Sequence, residues 1–549
     1  MKLSQLFKAI PIRSSRLVRD GRSTLFDIGT EGAVNPDIRA VHHRAQDVDA
    51  NGIFIALNGL TADGHDYIGE AISRGAAAVV TQLPYSALPV FAEQLNRADT
   101  TDPGICHMEV DDTRHVLGMI SARFYGDPSD KLTVIGITGT NGKTTTARLI
   151  EGILASAGFA VGVIGTQSYR YSGNAYANPM TTPEAPDLQK ILSEMLSGGI
   201  THVVMEVSSH GIDRRRIDGC HFDVGVFTNL TQDHLDYHGT MAAYWACKKK
   251  WFTDYLAVGR KRRHAAAVIN CQNRPGIELN TLLAGLPDPL RRIAVGQTCA
   301  NKRIYSEDVV FGIDGINCRL ILPAGEISIR SPLVGKHNLE NILCAAGAGV
   351  ALGLPREAIG SGIESIQSVS GRMEPVFNNR GRFVYVDYAH TPDALERVLA
   401  ALRDLAPGRI ISVFGCGGNR DREKRPLMGR IALSYSDLAI ITSDNPRMEP
   451  PLRIVDDICR GVSDIPSRRY GPEDLTGGFK ETGYAVQPDR RKAIALSMAA
   501  SDPGDTILIA GKGNETYQIV GKEQLPFDDR EEVRRSLNRR APYDQSGGC

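Results

Sequence analysis

The chain has 549 residues, too many for a single hydrophobic core, so two to four domains are expected. Lysine plus arginine equals aspartate plus glutamate at 63 each, which excludes a general electrostatic attraction to nucleic acid or to an anionic membrane surface. Glycine is plentiful at 56 residues beside an ordinary 42% hydrophobic content, a composition suited to an α/β enzyme with many strand-to-helix turns. Residues 1–22 contain no apolar run long enough for a signal peptide or a membrane span. The ten cysteines are scattered without a CxxC pair or framework spacing, so reduced thiols in a cytoplasmic protein are expected.

Three segments follow in chain order, with boundaries expected at 1–130, 131–369 and 370–549. In the first, GIFIAL (52–57) and AAAVV (76–80) read as short buried strands flanking the helix-like DYIGEAISRG. The second opens at KLTVIGITGTNGKTTTARLIEGILASAG, an apolar strand, a glycine-rich turn and an amphipathic helix closed by glycine. It continues through the strand candidates THVVMEV and FDVGVFTNL to the helix-like GKHNLENILCAAGAGVALG. In the third, the strands RFVYVDY, RIISVFG, DLAIITSD and DTILIAG alternate with helical stretches, a parallel-sheet pattern. Ligands of open α/β sheets sit at the carboxyl ends of such strands.

The turn GTNGKTTT (139–146) lies between a strand and a helix, the context in which a phosphate loop is credible. Backbone N–H groups of Gly139, Thr140, Asn141, Gly142 and Thr145 can cradle phosphates at the helix N-terminus. Lys143 supplies a charge for the terminal phosphates, and the Thr144 hydroxyl can join a Mg²⁺ shell. The strict pattern requires glycine where Ile137 stands; Gly136 and Gly139 flank it.

A second feature is ACKKKWF (246–252). If a helix begins near Thr240, Met241, Tyr244, Trp245, Trp251 and Phe252 all fall within roughly 60° of Lys248, while Lys249 and Lys250 point elsewhere. An ammonium on an apolar face is either a snorkelling lysine or one whose pKa is pushed down towards the neutral amine. Together with GRKRRH (259–264) the run could also be a basic surface of a P-loop nucleic-acid motor, which the zero net charge and the lack of aromatic-interleaved basic stripes oppose. Lys424 and Arg425 read equally as a phosphate-facing pair or a solvated helix start.

The form GTNGKT resembles the phosphate loop of the Mur ligase family and its folylpolyglutamate synthase relatives. The resemblance runs along the chain through MEVSSHG (205–211), TNLTQDHLDYHGT (228–240), GKHNLEN (335–341), GRMEPV (371–376), VDYAHTPDAL (386–395), GCGGNRDREKRPLMG (415–429), DNPR (444–447) and GKGNE (511–515). It implies three α/β domains: an N-terminal UDP-sugar-binding domain, a central P-loop ATPase-like domain with a parallel sheet, and a C-terminal Rossmann-like domain that takes an amino acid. The implied activity is an ATP- and Mg²⁺-dependent ligation, through an acyl-phosphate, that adds meso-diaminopimelate to the D-Glu of UDP-MurNAc-L-Ala-D-Glu in cytoplasmic peptidoglycan precursor synthesis. The implied partners are these small molecules, with no nucleic acid or membrane, and a monomer is expected.

By the same resemblance, Glu206, His234 and Thr144 hold metal, and Lys248 carries a carbamate formed from its neutral amine and CO₂. Taken alone, His234 would read as a core or capping histidine. Lys143, Lys248 and His234 are the implied catalytic residues. Asn229 and Asn338 lie near the adenine; Arg372 and Asp387 contact phosphate and ribose, although Arg372 alone could be a domain-interface salt bridge. The amino-acid pocket is implied at Arg420, Asp444, Asn445, Pro446, Arg447, Gly511 and Glu515. The Arg447 fork would take the distal carboxylate that lysine lacks, and Glu515 the distal ammonium. The UDP-sugar dipeptide is implied at His43, Arg44, Ala45, Gln46, Thr181, Thr182, Ser208, Arg214 and Arg216. Three departures fall there: Met180 where asparagine is usual, Arg214 where glutamine is common, and VHHRAQDV (41–48) in place of an Asp-Ser-Arg stretch. The DNPR loop and the N-terminal domain oppose a folylpolyglutamate synthase, and Arg447 opposes a lysine-adding ligase.

Overall fold

The computed structural model describes residues 1–19, 22–28, 34–59, 62–91, 104–178, 180–288, 290–296, 304–377 and 380–538. Three α/β domains follow one another, each built on its own sheet. The first sheet has six strands, with Ala40–His42, Gly52–Ile55, Ala76–Thr81 and Ile105–Glu109 parallel. The hairpin Ser14–Arg19/Arg22–Leu25 adds antiparallel to its edge. Ser14–Arg19 packs on both faces, Leu17 against one core cluster and Val18 in another.

The central sheet places Thr133–Thr138 between His202–Glu206 and Val224–Phe227, all parallel, with Val161–Ile164 beyond the first and Ala266–Asn270 and Arg291–Val295 beyond the second. TVIGIT is apolar on both faces because both are covered. On one side pack the helices Lys143–Ser156, Lys336–Ala351 and Arg356–Glu364, together with a three-stranded antiparallel sheet spanning 305–331. On the other pack Ala185–Ser197, the 241–256 helix and Arg274–Ala284. The hairpin Gln167–Tyr171/Asn174–Asn178 extends the edge. The chain winds outwards to both sides of Thr133–Thr138, so the carboxyl end of that strand is a topological switch point.

In the third domain, Phe383–Asp387, Thr506–Ala510, Ile410–Phe414, Leu438–Ile441, Gly483–Val486 and Arg468–Tyr470 form a parallel sheet in that spatial order. Its strands end towards the central domain: Asp387 shares a hollow with Asn141 and Gly142 of the phosphate loop, and Asp444 and Gly511 share another with Asp233 and His234. Asn141 Nδ2 of that loop donates to Asp393 Oδ2 of the third domain at 3.0 Å, and Lys336 pairs with Asp404. Thr391 caps the helix Pro392–Leu405 that carries Asp393, its hydroxyl accepting from Ala394 N.

The eight described cysteines are free thiols, seven of them buried; Cys299 and Cys549 lie outside the described residues. Among the described residues no helix is long and apolar enough to cross a membrane.

Candidate active site

The loop after Thr133–Thr138 turns through Gly139 at φ +149° and Gly142 at φ +85° before the helix begins at Lys143. Both glycines are required by space as well. A Cβ on Gly139 would lie 1.9 Å from Thr228 Oγ1, and one on Gly142 would lie 2.2 Å from Asn341 Oδ1. Ile137 stays inside the strand, fully buried in the core. The neighbouring Gly136 admits the indole of Trp251 instead. The loop is braced from the adjacent strand end: Asn229 accepts from Asn141 N at 2.9 Å and donates to Asn141 O at 3.1 Å.

Lys143 folds back on the loop, Nζ donating to the carbonyls of Gly139 (3.0 Å) and Thr140 (2.9 Å). Burial lowers its pKa, opposed by Glu206 and Asp233. Glu206 is 2% exposed at the end of its strand. It accepts from Thr144 Oγ1 at 2.9 Å and from the backbone and hydroxyl of Thr166 at 3.3 and 3.1 Å. His234 sits at φ +54°, its Nε2 3.3 Å from Asp233 Oδ2, with the His210 ring edge-on at 4.9 Å.

The expected helix begins after its Thr240 cap and runs over Met241–Lys250, followed by a π-helical turn, Trp251–Leu256. Lys248 is 1% exposed, with Nζ 4.5 Å from the centre of the Tyr244 ring and donating to Gly139 O at 2.9 Å. Burial drives its pKa well below the ordinary lysine value, and the neighbouring Lys143 adds to the shift. Lys250 is exposed as expected. Lys249 is not a bare surface cation: it lies over the Trp245 ring at 5.3 Å and pairs with Glu278 at 3.0 Å.

Two hollows are lined jointly by the central and third domains. The smaller is lined by Asn141, Gly142, Thr145, Asn229, Asn338, Arg372 and Asp387, which gathers the expected nucleotide residues from two domains. His337, Asn341 and Arg397 also line it and were not singled out, although His337 and Asn341 belong to GKHNLEN. Arg372 makes no salt bridge among the described residues; its guanidinium lies 4.7 Å from the Tyr388 ring centre. Asp387 is buried and accepts from Met373 N and Ala389 N, and burial raises its pKa against the pull of Arg372.

The larger hollow, about 470 Å³, runs from Asp233 and His234 of the central domain to Arg420, Asp444, Asn445, Arg447, Gly511 and Glu515 of the third. Neither Arg420 nor Arg447 has an acidic partner within salt-bridge distance among the described residues, and each guanidinium donates only to backbone carbonyls. Pro446 lines a different cleft behind the loop. Glu515 already accepts from Lys512 Nζ (2.8 Å) and Asn445 Nδ2 (2.9 Å) through Oε2. Lys424 lines the hollow and donates to His390 O at 2.9 Å. Arg425 plays neither expected part: it is wholly buried between Glu449 and Asp457. His390, Asp393 and Glu396 on the wall were not anticipated singly, although His390 and Asp393 fall inside VDYAHTPDAL.

On the first domain's side, Thr182 and Ser208 share a hydrogen bond of 3.0 Å, and Ser208 caps the helix Ser209–Asp213. Thr181 meets Thr166 at 3.2 Å. Arg216 is held by Glu184 at 2.8 Å and Arg214 by the Tyr237 hydroxyl at 2.8 Å. His43 follows the strand Ala40–His42; burial lowers its pKa, and the charge of Glu184 opposes that shift. Arg44 and Gln46 are exposed, whereas the Ala45 side chain belongs to the core and leaves only its backbone for a ligand.

Comparisons with known proteins match the Mur ligase family catalytic domain to residues 37–125, the Mur ligase middle domain to 137–349, and the Mur ligase glutamate ligase domain to 371–513. Relatives from Geobacter metallireducens and Geobacter sulfurreducens carry the name UDP-N-acetylmuramoyl-L-alanyl-D-glutamate–2,6-diaminopimelate ligase. The first is 46% identical over 91% of this chain and 94% of its own. The second is 44% identical over 92% and 96%. A solved structure of a ligase with that name superposes with a TM-score of 0.62 at 30% identity, covering 91% of this chain and 95% of its own. A MurF ligase of Thermotoga maritima in complex with ADP has the same fold, with a TM-score of 0.57 at 18% identity and coverage of 91% and 97%.

Proposed function

The chain belongs to the Mur ligase family, and we infer that it joins diaminopimelate to the D-glutamate of UDP-MurNAc-L-Ala-D-Glu in an ATP-dependent, ADP-forming step of peptidoglycan precursor synthesis. The observation that carries the amino-acid assignment is the pair Arg420 and Arg447. Two guanidinium groups without acidic partners among the described residues end a hollow that begins at His234, and they suit a substrate with carboxylates to place there.

A carboxylate does not acylate an amine, so the D-glutamate carboxylate oxygen first takes the γ-phosphoryl group and ADP leaves. The amine nitrogen then bonds to the acyl carbon and loses a proton, and the carbon–oxygen bond to phosphate breaks. Lys143 and the loop amides from Gly139 to Thr145 hold the phosphates. Asn229, Asn338, Arg372 and Asp387 hold the rest of the nucleotide. Thr144, Glu206, His234 and Lys248 would hold Mg²⁺, which when bound withdraws charge from the phosphate oxygens. The donor set fits a hard cation only if Lys248 is not an ammonium, because a second cation there would repel the metal. Its burial and lowered pKa support a neutral amine able to form a carbamate. His43 to Gln46, Thr181, Thr182, Ser208, Arg214 and Arg216 form the UDP-sugar dipeptide track.

The domains divide at 130/131 and 369/370 in this reading. In the same reading the enzyme works in the cytoplasm, where ATP is at hand, and one chain supplies every assigned contact, so a monomer suffices. ADP release with UDP-MurNAc-L-Ala-D-Glu, offered diaminopimelate and lysine in parallel, tests the proposal. Preference for lysine would overturn it.

A further inference from the structure

Behind the wall of the larger hollow lies a lysine with no solvent exposure. Lys512 Nζ donates to Glu515 Oε2 at 2.8 Å and to Asn445 Oδ1 at 3.2 Å, and lies 5.5 Å from the Tyr517 ring centre. Asn445 Nδ2 closes the triangle on the same Glu515 oxygen at 2.9 Å. Glu515 and Asn445 line the hollow; Lys512 does not.

The turn that carries Lys512 leaves it little freedom. Gly511 at φ +115° and Gly513 at φ +54° bracket it. A Cβ on Gly511 would lie 2.5 Å from Asp444 Oδ2, and one on Gly513 would lie 2.7 Å from Tyr388 Cβ. A buried ammonium is costly unless paired and hydrogen-bonded, so Lys512 is tied to this one arrangement of Glu515 and Asn445. With Oε2 occupied twice, Oε1 is the Glu515 oxygen without a hydrogen bond among the described residues.

We propose that Lys512 is a positioning residue for the amino-acid substrate: it pins Glu515 and Asn445 so that Oε1 of Glu515 meets the distal ammonium of diaminopimelate. This rests on the diaminopimelate reading above. Lys512 touches no substrate itself, and its effect passes through Glu515.

The test compares diaminopimelate with 2-aminopimelate, which keeps both carboxylates and the reacting amine but lacks the distal amine. The wild-type enzyme is measured first, with lysine as a third amine, and a wild-type preference for lysine would overturn both the reading and the proposal. Lys512→Met is expected to raise KM for diaminopimelate about tenfold while leaving kcat, KM for ATP and KM for 2-aminopimelate within about threefold. Equal losses with both diacids, or none, would overturn the proposal. Should Lys512→Met fail to fold, Lys512→Arg keeps the charge but moves the donors, and the same selective rise is expected. In a Glu515→Gln background, removing Lys512 should add little to KM for diaminopimelate; additive losses would mean that Lys512 acts by another route.

Discussion

At the scale of single residues, the three consecutive lysines divide the work sharply. Lys248→Ala is expected to abolish ligation, with partial rescue by a short added carboxylate standing in for the carbamate, as read by ADP release. Lys249→Ala removes a half-exposed pair with Glu278, worth about 0.5 kcal/mol, and should leave turnover unchanged. If both variants keep full activity, the carbamate assignment is wrong. Arg447→Lys keeps the charge but loses the fork, so KM for diaminopimelate should rise about tenfold with kcat little changed. The face that holds Lys248 is legible from helical spacing, because Tyr244 and Trp245 share it. The partner of Lys249 is not, since Glu278 comes from another helix. Lys512 is equally hidden: its burial depends on Asn445, 67 residues away.

Among elements, the turn Trp251–Leu256 has the clearest consequence. π-helical turns are rare and collect at functional sites. Here the turn lays Trp251 across Gly136, where an added Cβ would stand 2.4 Å from the indole and 3.0 Å from Phe222. Gly136→Ala should therefore cost about 1–3 kcal/mol through overpacking, seen as a lower urea midpoint. The helix Thr113–Phe124 joins the first two domains, and its His115 Nδ1 meets Asp218 Oδ2 at 2.6 Å. That hydrogen bond raises the His115 pKa above its ordinary 6.5 against burial and Arg215, with Asp112 helping. The bond's stabilisation is complete below the unfolded pKa and is lost as pH rises through the folded one. Melting temperature should fall across that window, and His115→Gln should flatten the dependence; an unchanged slope would deny the bond any weight. Parallel strands ending in glycine-rich loops are legible because each is a continuous apolar run. The antiparallel additions at 14–25, 167–178 and 305–331 are not, because polar residues interrupt them so that none is a continuous apolar run, and they carry no βα punctuation.

For the whole molecule, ligation requires two domains to meet, and a few contacts already join them. Asn141 of the phosphate loop holds Asp393, which Arg397 also binds at 3.1 Å. Asp393→Ala should loosen the contact between the second and third domains, raising KM for ATP several-fold and enlarging the radius of gyration read by small-angle scattering with nucleotide; an unaltered KM and radius would remove Asp393 from that role. The order of motifs along the chain makes three domains legible, but the pairing of Asn141 with Asp393 depends on how those domains face one another. The free thiols turn this geometry into a clock. The first domain contributes Cys106, the second five including Cys247 beside Lys248, and the third Cys416 and Cys459. Among the described cysteines only Cys459 is partly open, so of these eight a thiol-reactive probe should label it first and the others no faster than their own domain breathes. Mass spectrometry after timed labelling would then rank the domains by opening rate, and nucleotide should slow Cys247 more than Cys106.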